Sequence, residues 1–172
     1  MSEKLWAPWR LQYILDPKAG PLKAGKKRAC VFCNKRRKRS DAQADREDLI
    51  LAHGKSCFTI LNKFPYNNGH LMVMPYEHIG NFGEIKKETL HEMMEGLQRA
   101  VKILEKTFHA DGFNLGMNLG RAAGAGIPDH VHMHVVPRWS GDTNFMPVLG
   151  DVRVLPEYIE TTYDRLVGEF RK

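Results

Sequence analysis

The chain has 172 residues and a 42% hydrophobic fraction, enough for one domain with a real core, or one domain with an arm. No apolar run reaches the roughly 18 residues of a membrane span, and MSEKLWAPWR at the start holds no apolar signal-peptide core, so a cytoplasmic protein is expected. The net charge of +6 is uneven, because residues 1–46 hold 13 Lys/Arg against 4 Asp/Glu and the remainder holds 13 against 16. An odd count of three cysteines argues against a disulfide scaffold.

In chain order, residues 1–48 read as a basic arm and residues 49–172 as the domain. Trp6, Trp9, Tyr13 and Ile14 are expected to pack onto the domain or a subunit interface. Lys26-Lys27-Arg28 and Lys35-Arg36-Arg37-Lys38-Arg39 give a field that polyphosphate or RNA could use, although a solvated loop is favoured over a nucleic-acid contact. Residues 34–47 read as loop. Leu49–Ala52 and Cys57–Leu61 read as strands hinged at Gly54, and His70–Met74 as a third strand stopped by Pro75. Leu90, Met93, Leu97, Val101, Leu104 and Phe108 recur at helical spacing within 84–108. Phe113, Leu115, Met117 and Leu119 alternate as a fourth strand, and a glycine-rich loop from Gly120 to Asp129 follows. His130–Val136 is the fifth strand, and Pro156 opens a final helix with Ile159, Tyr163, Leu166 and Phe170 on one side. Strands dominate, so an antiparallel α+β domain is expected rather than a doubly wound sheet.

The fifth strand carries the chemistry. His130, His132 and His134 alternate with Val131, Met133 and Val135, so the imidazoles share one face and the apolar residues the other. Such a row points to a metal site or to acid/base and nucleophilic chemistry near neutral pH. The three histidines span about 13 Å, too far for all to ligate one ion. Gly124, Ala125 and Gly126 run into this strand, and small residues let backbone N–H groups approach an anion. An imidazole with one free nitrogen can attack phosphorus and form a nucleotidyl-histidine, which water or phosphate then releases. Cys30-Val31-Phe32-Cys33 is, by itself, open between a redox pair, two free thiols and half a zinc site. Cys57 reads as a buried core thiol, and His53, His91 and His109 as surface or local capping residues.

His-x-His-x-His followed by apolar residues resembles the signature of the histidine-triad (HIT) nucleotide hydrolases and transferases. Leu61-Asn62-Lys63-Phe64-Pro65 and Gly69-His70-Leu71-Met72-Val73-Met74-Pro75 resemble the upstream half of that domain. Leu5-Trp6-Ala7-Pro8-Trp9-Arg10, Asn114–Gly120 and Pro137-Arg138-Trp139 resemble a bacterial branch that includes diadenosine tetraphosphate phosphorylases. The resemblance implies a five-stranded antiparallel sheet with one long helix and a C-terminal helix, in a homodimer whose sheets join. It implies His132 as the nucleophile, His134 at the phosphate or bridging oxygen, and His70 in support. Asn62 would contact the ribose, Asn118 and Gly124–Gly126 the phosphates, and Trp139 would lie near the substrate. Zinc-bearing relatives imply Cys30, Cys33, His78 and His130 as a structural zinc site. Many relatives place a Ser or Thr hydroxyl where this chain has Gly126 or Ile127, so phosphate contact falls here to backbone N–H groups or Arg121. The activity implied is cleavage of dinucleoside polyphosphates. A purine nucleoside phosphoramidase and a nucleotide- or RNA-binding regulator are the alternatives.

Overall fold

The computed structural model describes residues 30–35, 41–150 and 156–172. The Trp-rich start of the chain and the basic clusters at 26–28 and 36–39 lie outside the described residues. The chain divides into two compact units, the larger holding the described residues through Ser140 and those from 156 onward. Its elements in order are α1 (Val31–Lys35), α2 (Ala42–Asp48), β1 (Ile50–His53), β2 (Cys57–Leu61), β3 (Leu71–Pro75), α3 (Lys87–Phe108), β4 (Gly112–Gly116) and β5 (Met133–Arg138). In the smaller unit the Asn144 carboxamide oxygen accepts the Met146 N–H at 2.9 Å and opens the short helix α4 (Met146–Leu149). Helix α5 (Ile159–Phe170) completes the larger unit.

The sheet order is β1-β2-β3-β5-β4, and every pairing is antiparallel, as an α+β chain predicts. Helix α3 packs on β2, β3 and β5, and α5 packs on β1 and α3. The periodicity read from the sequence is the packing observed. Met93, Leu97 and Leu104 of α3 and Tyr163, Leu166 and Phe170 of α5 are buried in one core with Val73 and Val135. Gly96 lets α3 lie close to the sheet, because a Cβ there would sit 3.1 Å from Val73 Cγ1. Cys57 is buried in the same core.

Several local readings change, among them that the fourth strand stops at Gly116 rather than Leu119 and the final helix starts at Ile159 rather than Pro156. Residues 34–47 do not form one loop, since α1 and α2 occupy much of the described part. Helix α2 is set by its cap rather than by apolar period: Asp41 Oδ1 accepts the N–H groups of Gln43 at 3.0 Å and Ala44 at 3.2 Å. The long helix starts at Lys87 rather than 84, behind a 3₁₀ turn at Phe82–Glu84. The histidine strand joins the ladder only at Met133. Its partner β3 ends at Pro75, which has no N–H, and the Tyr76 N–H turns to the Ser56 carbonyl at 2.8 Å. Val131 instead donates to the Ile79 carbonyl at 2.7 Å, and His130 lies in a bend, so 130–132 stands outside the ladder.

Candidate active site and metal centre

Three histidine rings converge: His134 from β5, His132 from just before it, and His70 from just before β3. Met72 of β3 pairs with His134 of β5, and His70 immediately precedes β3. The ring centroids lie 5.1 Å apart for His70–His134 and 4.9 Å for His132–His134. Gly69 (φ +71) makes the turn that delivers His70, and a Cβ there would come within 3.1 Å of Leu104 Cδ2. His70 is 0% exposed and His132 7%.

Hydrogen bonds fix which nitrogen of each ring carries a proton. His70 Nδ1 accepts the Tyr66 N–H at 3.0 Å and faces the Asn62 amide nitrogen at 3.3 Å. The proton of neutral His70 therefore sits on Nε2, which donates to His134 Nδ1 at 3.0 Å. In turn the proton of His134 sits on Nε2. His132 Nδ1 donates to the His130 carbonyl at 2.8 Å, leaving Nε2 with a lone pair. Burial pushes the His132 imidazole below its ordinary pKa, and the bond to the His130 carbonyl opposes this only in part. A neutral ring is the form that can attack an electrophile.

The other predicted substrate residues are placed unevenly. Asn62 lies beside His70, its carboxamide oxygen accepting the Phe64 N–H at 3.0 Å. Asn118 is half-buried on the connection between β4 and β5. On the same connection the Gly124 N–H closes on the Arg121 carbonyl at 2.9 Å and the Ala125 N–H on the Gly120 carbonyl at 3.1 Å, while Gly126 is exposed. Trp139 follows β5 at the end away from His132, and its indole N–H donates to the Phe108 carbonyl at 3.1 Å. Trp139 stands seven residues beyond His132 and five beyond His134, about 23 and 17 Å along an extended chain.

A second cluster lies beside the first. Cys30, Cys33, His78 and His130 bring four ligand atoms within 4.8 Å of one another. Cys30 Sγ and Cys33 Sγ lie 3.4 and 3.7 Å from His130 Nδ1, and Cys33 Sγ lies 3.4 Å from His78 Nδ1. Zinc bonds of about 2.3 Å to sulfur and about 2.0–2.1 Å to nitrogen give a tetrahedral S–N edge of roughly 3.5 Å, so the donor set fits zinc. His130 is 0% exposed, and its Nε2 donates to the Pro75 carbonyl at 2.9 Å, which turns an unprotonated Nδ1 toward the sulfurs.

Two side chains at these sites carry no role in the sequence reading. Phe32 lies within the Cys-x-x-Cys pair and packs on both His130 and His132. Tyr66 lies over His70, with centroids 4.7 Å apart, and 5.9 Å from His134. An aromatic enclosed between two ligand cysteines was the available signal for Phe32. His53 is also more than a surface residue: its Nε2 donates to Asp45 Oδ1 at 2.8 Å and its Nδ1 accepts the Tyr76 hydroxyl at 2.8 Å. His109 caps α3 in the left-handed region, as local capping predicts.

The HIT domain model matches residues 43–141. The AP-4-A phosphorylase of Mycobacterium tuberculosis strain H37Rv is 33% identical over 99% of this chain and 85% of its own length. A Zn-bound histidine triad family protein from Mycobacterium smegmatis superposes with a TM-score of 0.65 at 28% identity, over 83% of this chain and 94% of that one. A hypothetical histidine triad nucleotide-binding protein from Sulfolobus tokodaii gives a TM-score of 0.64 at 25% identity, over 83% of this chain and 92% of that one. The histidine row at 130–134 lies within that matched span, and this chain belongs to the HIT domain family.

Proposed function

We propose that this chain is a nucleotidyl transferase or hydrolase that cleaves dinucleoside polyphosphates through a nucleotidyl-His132 intermediate. His132 Nε2 attacks the α-phosphorus of a diadenosine tetraphosphate, forming an N–P bond as the bond to the bridging oxygen breaks and ATP departs. The Nε2–H of His134 stabilises the charge on the phosphoryl or bridging oxygen, and His70 holds His134 in that tautomer. Inorganic phosphate or water then attacks the same phosphorus. The N–P bond breaks, its electron pair returns to Nε2, and ADP or AMP leaves. Asn62 is assigned to the ribose, and Asn118 with Gly124–Gly126 to the phosphate chain. The observation that carries the reading is the tautomer set, in which His132 Nε2 keeps a lone pair beside an N–H donor. Similarity to a relative named AP-4-A phosphorylase over nearly the whole chain supports the substrate class.

Cys30, Cys33, His78 and His130 are assigned to one zinc ion. With four protein ligands and no open position, that ion would supply structure rather than Lewis-acid chemistry. A homodimer through the β4 edge is also proposed. β4 is a terminal strand and Leu115 on it is 50% exposed. Sedimentation should then return twice the 19.7 kDa chain mass, and a monomer would contradict it. No helix among the described residues is long and apolar enough to cross a membrane.

The test of activity is incubation with diadenosine tetraphosphate, with and without phosphate. ADP plus ATP would mean phosphorolysis, and AMP plus ATP hydrolysis. No turnover of that compound, with turnover of an adenosine phosphoramidate, would contradict the reading.

A further inference from the structure

One side chain is common to the metal cluster and the reactive histidine. Phe32 lies between Cys30 and Cys33 and is only 5% exposed. Its ring centroid lies 5.4 Å from His130 at an interplanar angle of 79°, and 5.2 Å from His132 at 59°. His132 is therefore held three ways: by the His130 carbonyl at Nδ1, by the His134 ring at 76°, and by Phe32. The χ2 torsion of histidine is broad and roughly two-fold, so one hydrogen bond at Nδ1 does not by itself fix where Nε2 points. Packing has to choose the ring plane.

Phe32 is placed by its flanking ligands. Helix α1 has five residues, far fewer than a helix needs to persist on its own. Cys30 just before it and Cys33 within it reach His130 and His78, the Phe32 ring is buried against His130 and His132, and the Lys35 ammonium bonds Asp48. A Cys-x-x-Cys turn closed on one ion would hold the residue between the cysteines in a single orientation.

We propose that Phe32 is a positioning residue for His132: the metal-ligand segment presses its ring against the imidazole, so metal binding reaches the nucleophile as a packing constraint. This rests on the assignment of His132 made above. A misplacement of about 1 Å in a reacting group can cost on the order of 100-fold in rate. The effect belongs in kcat, because Phe32 is enclosed between the cysteines and the histidine rings rather than offered to a bound nucleotide.

The test compares the wild type, Phe32→Leu and Phe32→Tyr by three readouts: zinc content, steady-state turnover of diadenosine tetraphosphate, and the NMR signals of the His132 ring. Phe32→Leu should keep one zinc per chain, lose about 10- to 100-fold in kcat with KM within about twofold, and shift or broaden the His132 ring signals. Phe32→Tyr, which keeps the ring, should recover most of kcat. If Phe32→Leu does not fold, Phe32→Met carries the same comparison. Wild-type kcat in zinc-loaded Phe32→Leu would overturn the proposal. So would a loss fully restored by added zinc, since Phe32 would then act only by retaining the metal. Should the wild type fail to cleave the tetraphosphate, the functional reading fails. The His132 ring signals still decide the role of Phe32, and unchanged signals in Phe32→Leu would overturn it.

Discussion

At the scale of single residues, the site depends on which nitrogen carries each proton, and backbone groups make that choice. Tyr66 N–H, the His130 carbonyl and the Pro75 carbonyl settle the tautomers of His70, His132 and His130. None of this is written in His-x-His-x-His. The alternation announces three imidazoles on one face, but not that Tyr66 sets the His70 ring from 4 residues away, nor that Pro75 at the end of β3 sets His130 from 55 residues away. The family resemblance implied the grouping of side chains: His130 lies with the cysteines, and His132 and His134 lie with His70. If His134 donates from Nε2 to the reacting phosphate, His134→Ala should lower kcat by about 10²–10⁴-fold and leave nucleotide affinity within a few-fold. Stopped-flow turnover beside equilibrium binding checks this. A loss confined to KM would assign His134 to binding alone.

At the scale of elements, sequence signals were readable where apolar period set the structure and faint where caps did. Helices α3 and α5 followed from Leu, Met and Phe at three- and four-residue spacing. Helix α2 rests on Asp41 at its N-cap and buries only Ala44 and Asp45, so no apolar period announces it. The turn before His70 is fastened by contacts no local pattern reveals. Asn68 donates to Glu157 Oε1 at 3.0 Å, Arg165 to Glu157 Oε2 at 3.2 Å, and the Thr162 hydroxyl lies 2.8 Å from Glu157 Oε1. Burial works to raise the Glu157 carboxyl, but the hydrogen bonds from Asn68, Thr162 and Arg165 outweigh it and hold the group below its ordinary value. A depressed carboxylate stabilises the fold above its unfolded pKa, and that stabilisation is lost as pH falls through the folded value. Glu157→Ala should therefore cost about 1–3 kcal/mol in urea denaturation at pH 7. The gap from wild type should narrow as the solution is acidified below the ordinary glutamate range. A gap that stays constant with pH would remove Glu157 from this account.

At the scale of the whole molecule, the number and direction of strands were legible, but their order was not. β5 lies between β3 and β4, a pairing between segments far apart in sequence, and this insertion sets the triad beside His70. The Cys/His cluster is just as non-local, linking Cys30 to His130 across 100 residues. The zinc ion proposed there would close so long a loop that it would bind the folded chain far better than the unfolded one, and its removal should then be felt throughout. Chelation is expected to lower the melting temperature by several degrees and to reduce turnover, with both restored by added zinc. A chain with no zinc after metal-free purification and an unchanged melt would remove the metal from the account.

The central claim is a covalent bond between His132 and a nucleotide. The direct measurement is mass spectrometry of protein mixed with diadenosine tetraphosphate and quenched in alkali, which preserves the acid-labile N–P bond. One adenylyl group should appear on the peptide carrying His130–His134, localised to His132, and be absent from His132→Ala. Steady turnover with no adduct on any histidine, or an adduct that persists in His132→Ala, would contradict it.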